Sequence, residues 1–451
     1  MKKNFIARLI VLALCATAPL SSAQSFRVPF SEFQLDNGLR VVLSVDRAAP
    51  VVAVAVYYDV GSRNEVKGRT GFAHLFEHMM FQGSENIGKG GHFKFVESNG
   101  GYLNGSTHTD FTNYFEFLPS NQLELALWLE SDRMRSLRIT TVNLQNQKEA
   151  VKEEKRLNYD NQAYWPALEK MDEMVFHNWA NAHSTIGSMA DLDAASVADV
   201  QQFFDTYYTP NNAVLAIAGD IDPAQTEALV RKYFGTIRRR PAPPAVDVSE
   251  PPGIVNHKNI VDDAHADTPA VAIAWKTPDR RAPDFYAIAL LKAILFDGDS
   301  SRLYQSLVKK EAAALDIRGT LEERRGPGQL AVFVIHKADV KSEEVQAIIE
   351  AEIERVKHDG VTADELAKVK NQYRLSRFTC ESTLECTSLQ TALGRALELA
   401  EFSLFDGDPA LINTELDRYY GVNPEQVREA ARRLFIESNK AVLFIRPAKQ
   451  P

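Results

Sequence analysis

Apolar residues along this chain fall into two kinds of pattern. Short, nearly continuous apolar runs read as buried strands. They lie at 39–44, 51–58, 213–218, 270–275, 330–335 and 441–445. Between them, apolar residues recur at helical spacing. Helices are expected over 71–81, over 142–158 with Thr141 as the cap, over 284–296 and over 345–356. In the last of these, Val345, Ile348, Ile349, Ile353 and Val356 share one face. Residues 366–402 also have helical spacing, but with many charges. They read as a solvated helix packed on a sheet.

One break interrupts both patterns. Residues 239–252 contain Pro241, Pro243, Pro244, Pro251 and Pro252, and no apolar period survives there. This stretch reads as a linker between an N-terminal unit, 24–238, and a C-terminal unit, 253–451. Strands and helices follow the same order on either side. The expectation is an α+β fold made of two related αβ domains. Each would be a duplicated unit with an antiparallel-type sheet and helices packed on one face.

Composition narrows the picture. The chain has 451 residues, 45% of them apolar, which is too long for one ordinary domain and ample for two cores. Its net charge of −9 argues against a nucleic-acid partner. No stretch downstream of the first residues offers the apolar length needed to cross a bilayer. Lys2, Lys3 and Arg8, the apolar run 10–14 and the small residues Ser21, Ser22 and Ala23 form a secretory signal pattern over 1–23. Its removal takes away three positive charges and no negative one, which moves the net charge from −9 to −12. The expected location is periplasmic or secreted. Two cysteines remain, Cys380 and Cys386. On one straight helix they would sit about 9 Å apart, so a disulfide requires a turn between them.

The sharpest chemical signal is His74-Leu75-Phe76-Glu77-His78. Thr70 is the expected N-cap, and Gly83 can end the helix. His74 and His78 stand one turn apart on one face, where two imidazoles can reach one Zn²⁺. Glu77 lies beside them, placed to act as general base on a metal-activated water. Phe72, Leu75, Phe76, Met79 and Met80 make the helix apolar nearly all round, so its polar groups need partners. A third ligand must come from elsewhere. On the 142–158 helix the inward stripe is Leu144, Gln147, Val151, Glu154 and Asn158. Glu154 is therefore the first candidate, with Glu153 as its competitor.

On these residues the chain resembles the pitrilysin/insulinase family of zinc metallopeptidases, in its roughly 50 kDa bacterial branch. The inverted motif His74, Glu77, His78 carries the resemblance. It is joined by Asp36-Asn37-Gly38-Leu39, Val60-Gly61-Ser62-Arg63, Gly68-Arg69-Thr70-Gly71, Asn104-Gly105-Ser106-Thr107 with Asp110, Thr112 and Tyr114, and the segment 147–154. The resemblance places the distal zinc ligand on Glu154 and the general base on Glu77. It implies one Zn²⁺ per chain and hydrolysis of peptides or unfolded segments. It also implies an edge strand around Asn104, Gly105 and Ser106 that binds extended peptide by β-addition. Two departures stand out. Gln147 replaces a second glutamate common among relatives. Ala331 falls where active relatives carry an arginine, with no matching tyrosine after it. A partner subunit, in a homodimer or heterodimer, would then supply that Arg/Tyr pair. The alternative is a zinc-retaining but non-catalytic peptide-binding or assembly subunit. His92 and His183 read as loop or packing residues, and His108 stays open. Ser300-Ser301-Arg302-Leu303-Tyr304 matches a family segment and reads as a helix start.

Overall fold

The computed structural model describes residues 26–380 and 386–448; the expected signal segment lies outside them. The first half carries strands β1 (Ser31–Gln34), β2 (Arg40–Val45), β3 (Val51–Tyr58), β4 (Tyr102–Thr107), β5 (Thr112–Pro119) and β6 (Ala213–Gly219). The second carries β7 (Lys258–Asp263), β8 (Ala270–Thr277), β9 (Ala314–Leu321), β10 (Gly328–His336) and β11 (Lys440–Pro447). The principal helices are α1 (Phe72–Met79), α2 (Gly91–Ser98), α3 (Leu123–Arg135), α4 (Thr141–Lys155), α5 (Lys170–Val175), α6 (Val197–Tyr207) and α7 (Pro223–Phe234). They continue with α8 (Phe285–Phe296), α9 (Ser342–Asp359), α10 (Ala363–Ser376), α11 (Ala392–Asp406) and α12 (Pro424–Leu434). Among the described residues, no helix is long and apolar enough to cross a membrane.

The first sheet has the order β1-β2-β6-β3-β5-β4, and the second β7-β11-β8-β10-β9. Without β1 the two correspond strand for strand. β2 pairs with β6, and β7 with β11, in parallel. The remaining pairs are antiparallel. The duplicated α+β unit expected from element order is present.

The residue alternation within the central strands explains how each sheet is covered. On one face of the first sheet, Val52, Val54, Val56, Leu215 and Ile217 pack with the half's own helices. On the other face stand Ala53, Ala55, Ala216 and Ala218. Small side chains there let a helix approach the backbone closely. That helix is α11, from the other half, with Leu393, Ala396, Leu399 and Ala400 buried against the alanines. The second sheet repeats the arrangement. Val271, Ile273 and Trp275 face its own helices, whereas Ala270, Ala272, Ala274 and Ala441 face Met171, Met174 and Val175 of α5. Each half thus covers its own sheet on one face, as expected, and lends a helix to the bare face of the other. With both faces covered, β3 and β6 read as continuous apolar runs.

This exchange corrects the reading of 366–402 as one solvated helix. α10 ends at Ser376 and α11 begins at Ala392, mostly buried. Between them Cys380 and Cys386 are joined by a disulfide, with Cα atoms 4.9 Å apart. That is the departure from a straight helix that such a bond requires.

A turn from the second half also pins the halves together. Between β9 and β10, the Arg325 guanidinium pairs with Asp59 and donates to the Asp110 carbonyl at 3.1 Å. The Arg325 amide donates to the Asp110 carboxylate at 2.9 Å. Asp110 also takes the buried Arg63, so the charges in this junction are paired.

Candidate metal centre

α1 does not begin as Thr70 predicts. Its N-cap is Gly71, at φ 79°, a left-handed conformation that suits glycine. A Cβ at that position would meet the Ile186 carbonyl at 2.6 Å. The amides of the first turn go to Glu65, whose two carboxylate oxygens accept from Gly71 at 2.9 Å and Ala73 at 2.8 Å. A carboxylate at a helix N-terminus also suits the macrodipole. Thr70 turns away, its hydroxyl donating to Asp191 at 2.6 Å. His183 holds Glu65 at 3.1 Å and meets the Ser62 carbonyl at 2.8 Å, with Trp179 stacked on its ring at 3.9 Å. Burial raises the Glu65 carboxyl, against the opposing pull of His183 and the two amides.

α4 is capped by Thr140, one residue earlier than expected; its hydroxyl accepts from Asn143 at 3.1 Å. α4 lies against α1 and brings Glu154 to the two histidines. Glu154 Oε2 is 3.3 Å from His78 Nε2 and 3.6 Å from His74 Nε2. Two ligands bound tetrahedrally to Zn²⁺ at 2.0–2.1 Å would be about 3.3 Å apart. The observed separations fit that arrangement, and two imidazoles with a carboxylate are a donor set suited to zinc. Glu153 points elsewhere and pairs with Arg156 at 3.0 Å. His74, Glu77 and His78 form the single cluster among the described residues whose ligand atoms come within 4.8 Å of one another and could hold a metal.

The shifts at His74 and Glu154 suit metal ligands, whereas His78 holds its proton more strongly. Burial, with His78 adding to it, pushes His74 down to about 4, leaving a neutral imidazole ready to coordinate. Burial lowers His78 as well, but its hydrogen bond to Glu154 and the nearby Glu77 outweigh this and raise it. The same hydrogen bond lowers Glu154. Glu77 moves upward through burial, while a 2.7 Å hydrogen bond from the Thr107 hydroxyl and the proximity of His78 restrain it.

His74, Glu77 and Glu154 line a cleft of about 580 Å³. One wall is the end of β4, the outermost strand of its sheet among the described residues. Glu322, Glu323 and Arg324, from the β9–β10 turn of the second half, form the opposite wall.

The family model described as insulinase, peptidase family M16, matches residues 40–187. The model described as peptidase M16 inactive domain matches residues 194–373. The chain belongs to the insulinase family. A similar relative is the zinc protease PqqE of Helicobacter pylori, 28% identical over 376 residues, which are 82% of this chain and 85% of that one. The crystal structure of a protease from Helicobacter pylori aligns with a TM-score of 0.86 at 25% identity, covering 94% of this chain and 100% of that one. The periplasmic protease PqqL of Escherichia coli aligns with a TM-score of 0.73 at 20% identity. The alignment covers 94% of this chain and 48% of that one.

The other expected residues can now be placed on this insulinase fold. Gly105 and Ser106 line the cleft. Asn104 is exposed on β4, and its side chain accepts from the Gly105 amide at 2.9 Å. Thr107 belongs to the segment that carries the resemblance, but its contact with Glu77 is not legible there, because nothing in a strand sequence says which hydroxyl faces a helix 30 residues earlier. His108 also lines the cleft, its ring stacked on Phe111 at 4.3 Å and its Nε2 3.0 Å from the Ser106 hydroxyl. His92 is buried on α2 rather than in a loop. Ala331 lies on β10 against the α5 cluster. The second-half arginine that reaches the cleft is Arg324, committed to Glu322 at 2.5 Å and to the Asn181 carbonyl at 2.8 Å.

Proposed function

We propose that this chain is a zinc-dependent peptidase. It would hydrolyse extended peptides or unfolded segments, with His74, His78 and Glu154 holding one Zn²⁺ and Glu77 acting as general base. The observation that carries the reading is the approach of both imidazole Nε2 atoms to one Glu154 oxygen, at 3.6 and 3.3 Å, beside Glu77. Zinc, when bound, supplies a Lewis acid that activates a water and polarises the scissile carbonyl. Glu77 takes the proton from the attacking water and delivers it to the leaving nitrogen. Its upward shift suits a base that must also act as an acid. Thr107 holds the receiving oxygen. The edge strand β4, with Gly105 and Ser106 in the cleft wall and Asn104 beside them, would align the substrate main chain by β-addition.

A periplasmic or secreted location is supported by the 1–23 pattern, the Cys380–Cys386 disulfide and the likeness to PqqL, a periplasmic protease. The match to about half of PqqL supports a second subunit, of the same or a related chain, closing the chamber.

The competing reading is a zinc-retaining but non-catalytic peptide-binding or assembly subunit. Gln147, beside His78, favours it. One comparison separates the two. Glu77→Gln should keep stoichiometric zinc by elemental analysis and lose about a hundred- to ten-thousandfold in kcat on an unfolded peptide substrate. Equal turnover by wild type and variant, alone or with a co-encoded partner, would sink the enzyme reading.

A further inference from the structure

We propose that a second cavity, behind the metal helix and outside the cleft, binds a soluble polyvalent oxyanion of the phosphate class. The cavity holds about 590 Å³ and is lined by Arg135, Arg238, Arg239, Arg240, Asp205 and Thr209, among others. Four guanidiniums meet one carboxylate there, a local surplus of three positive charges in a chain of net charge −9. The one carboxylate is already used, because Asp205 pairs with Arg240. Arg135 is held by the Tyr233 carbonyl and the Thr236 hydroxyl, both at 3.0 Å, so it is oriented but not neutralised. Arg238 and Arg239 are exposed, and neither has an ion pair among the described residues. Thr209 also lines this cavity; it is 1% exposed, and its buried hydroxyl has no hydrogen-bond partner among the described residues, which is uncommon.

The chemistry selects the ligand. Guanidinium forks match phosphate oxygens two at a time. A monovalent anion would leave most of the surplus charge uncompensated, whereas a diphosphate would balance it. The site bears on the metal helix through one contact: the Tyr208 ring, in the cavity wall, lies 4.2 Å from Phe76 of α1.

Titration calorimetry of the full zinc-loaded chain with inorganic pyrophosphate tests the site. The expected result is one saturable event, weakening as salt rises. It should be about tenfold or more weaker in Arg238→Gln/Arg239→Gln and in Arg135→Gln. Those residues are exposed, and unchanged melting curves would show that the variants still fold. Because pyrophosphate can also chelate zinc, His78→Gln serves as the second arm, and binding should survive in it. The proposal is overturned by no saturable binding to wild type, by equal affinity in the arginine variants, or by loss in His78→Gln. It is also overturned if phosphatidylglycerol vesicles bind and pyrophosphate does not displace them. It stands or falls independently of peptidase activity.

Discussion

The Thr107 hydroxyl donates to Glu77 at 2.7 Å, and that bond favours the ionised carboxylate. Thr107→Val keeps the strand shape and removes the donor. Burial would then raise Glu77 further, so the acid limb of the kcat/KM profile should move to higher pH. Zinc content should stay the same, and the plateau should change by less than about tenfold. A pH–rate profile identical to wild type would show that the bond has no bearing on the base. At this scale the sequence is informative only where chemistry and helical period coincide. His74, Glu77 and His78 are legible because the i, i+3 and i+4 positions share a face. Glu154 is legible because it interrupts an inward stripe. Thr107 and Glu65 act across the fold, on residues that no local period connects to them.

α1 depends on a cap that its own first turn lacks. Glu65 supplies it from six and eight residues upstream of the amides it serves. Glu65→Ala should therefore cost about 1–3 kcal/mol in urea unfolding. Because α1 carries both histidines, the zinc dissociation constant should rise about ten- to a hundredfold. A competition titration with a zinc chelator measures this, and unchanged affinity would mean that packing alone holds the helix. Among strands, legibility follows burial. Most interior strands are apolar throughout because both faces are covered; β5 is the exception, with buried Thr112, Asn113 and Glu116 interrupting its run. β7 and β9 went unread because they lie at the sheet edges, where one face or one rim meets solvent and polar residues interleave. β1, another edge strand, escaped for the same reason.

The whole molecule is held by the reciprocal seating of α11 and α5. Leu399 of α11 is fully buried against the first sheet. Leu399→Ala should destabilise the chain by about 2–5 kcal/mol. Tryptophan fluorescence and circular dichroism should lose both halves in one transition, and separate transitions would show that the halves fold independently. The exchange left a trace in the sequence, since the alanines at 53, 55, 216 and 218 and at 270, 272 and 274 alternate with bulky residues. That alternation marks a face prepared for close helix contact, but not which helix fills it, since the donor lies far along the chain. The exchange also makes the covalent link between the halves nearly redundant. Severed anywhere in 239–252, the protein should migrate as one particle, an obligate dimer that happens to be written on one polypeptide. Either half made by itself would expose an alanine-lined sheet face to water and should be insoluble.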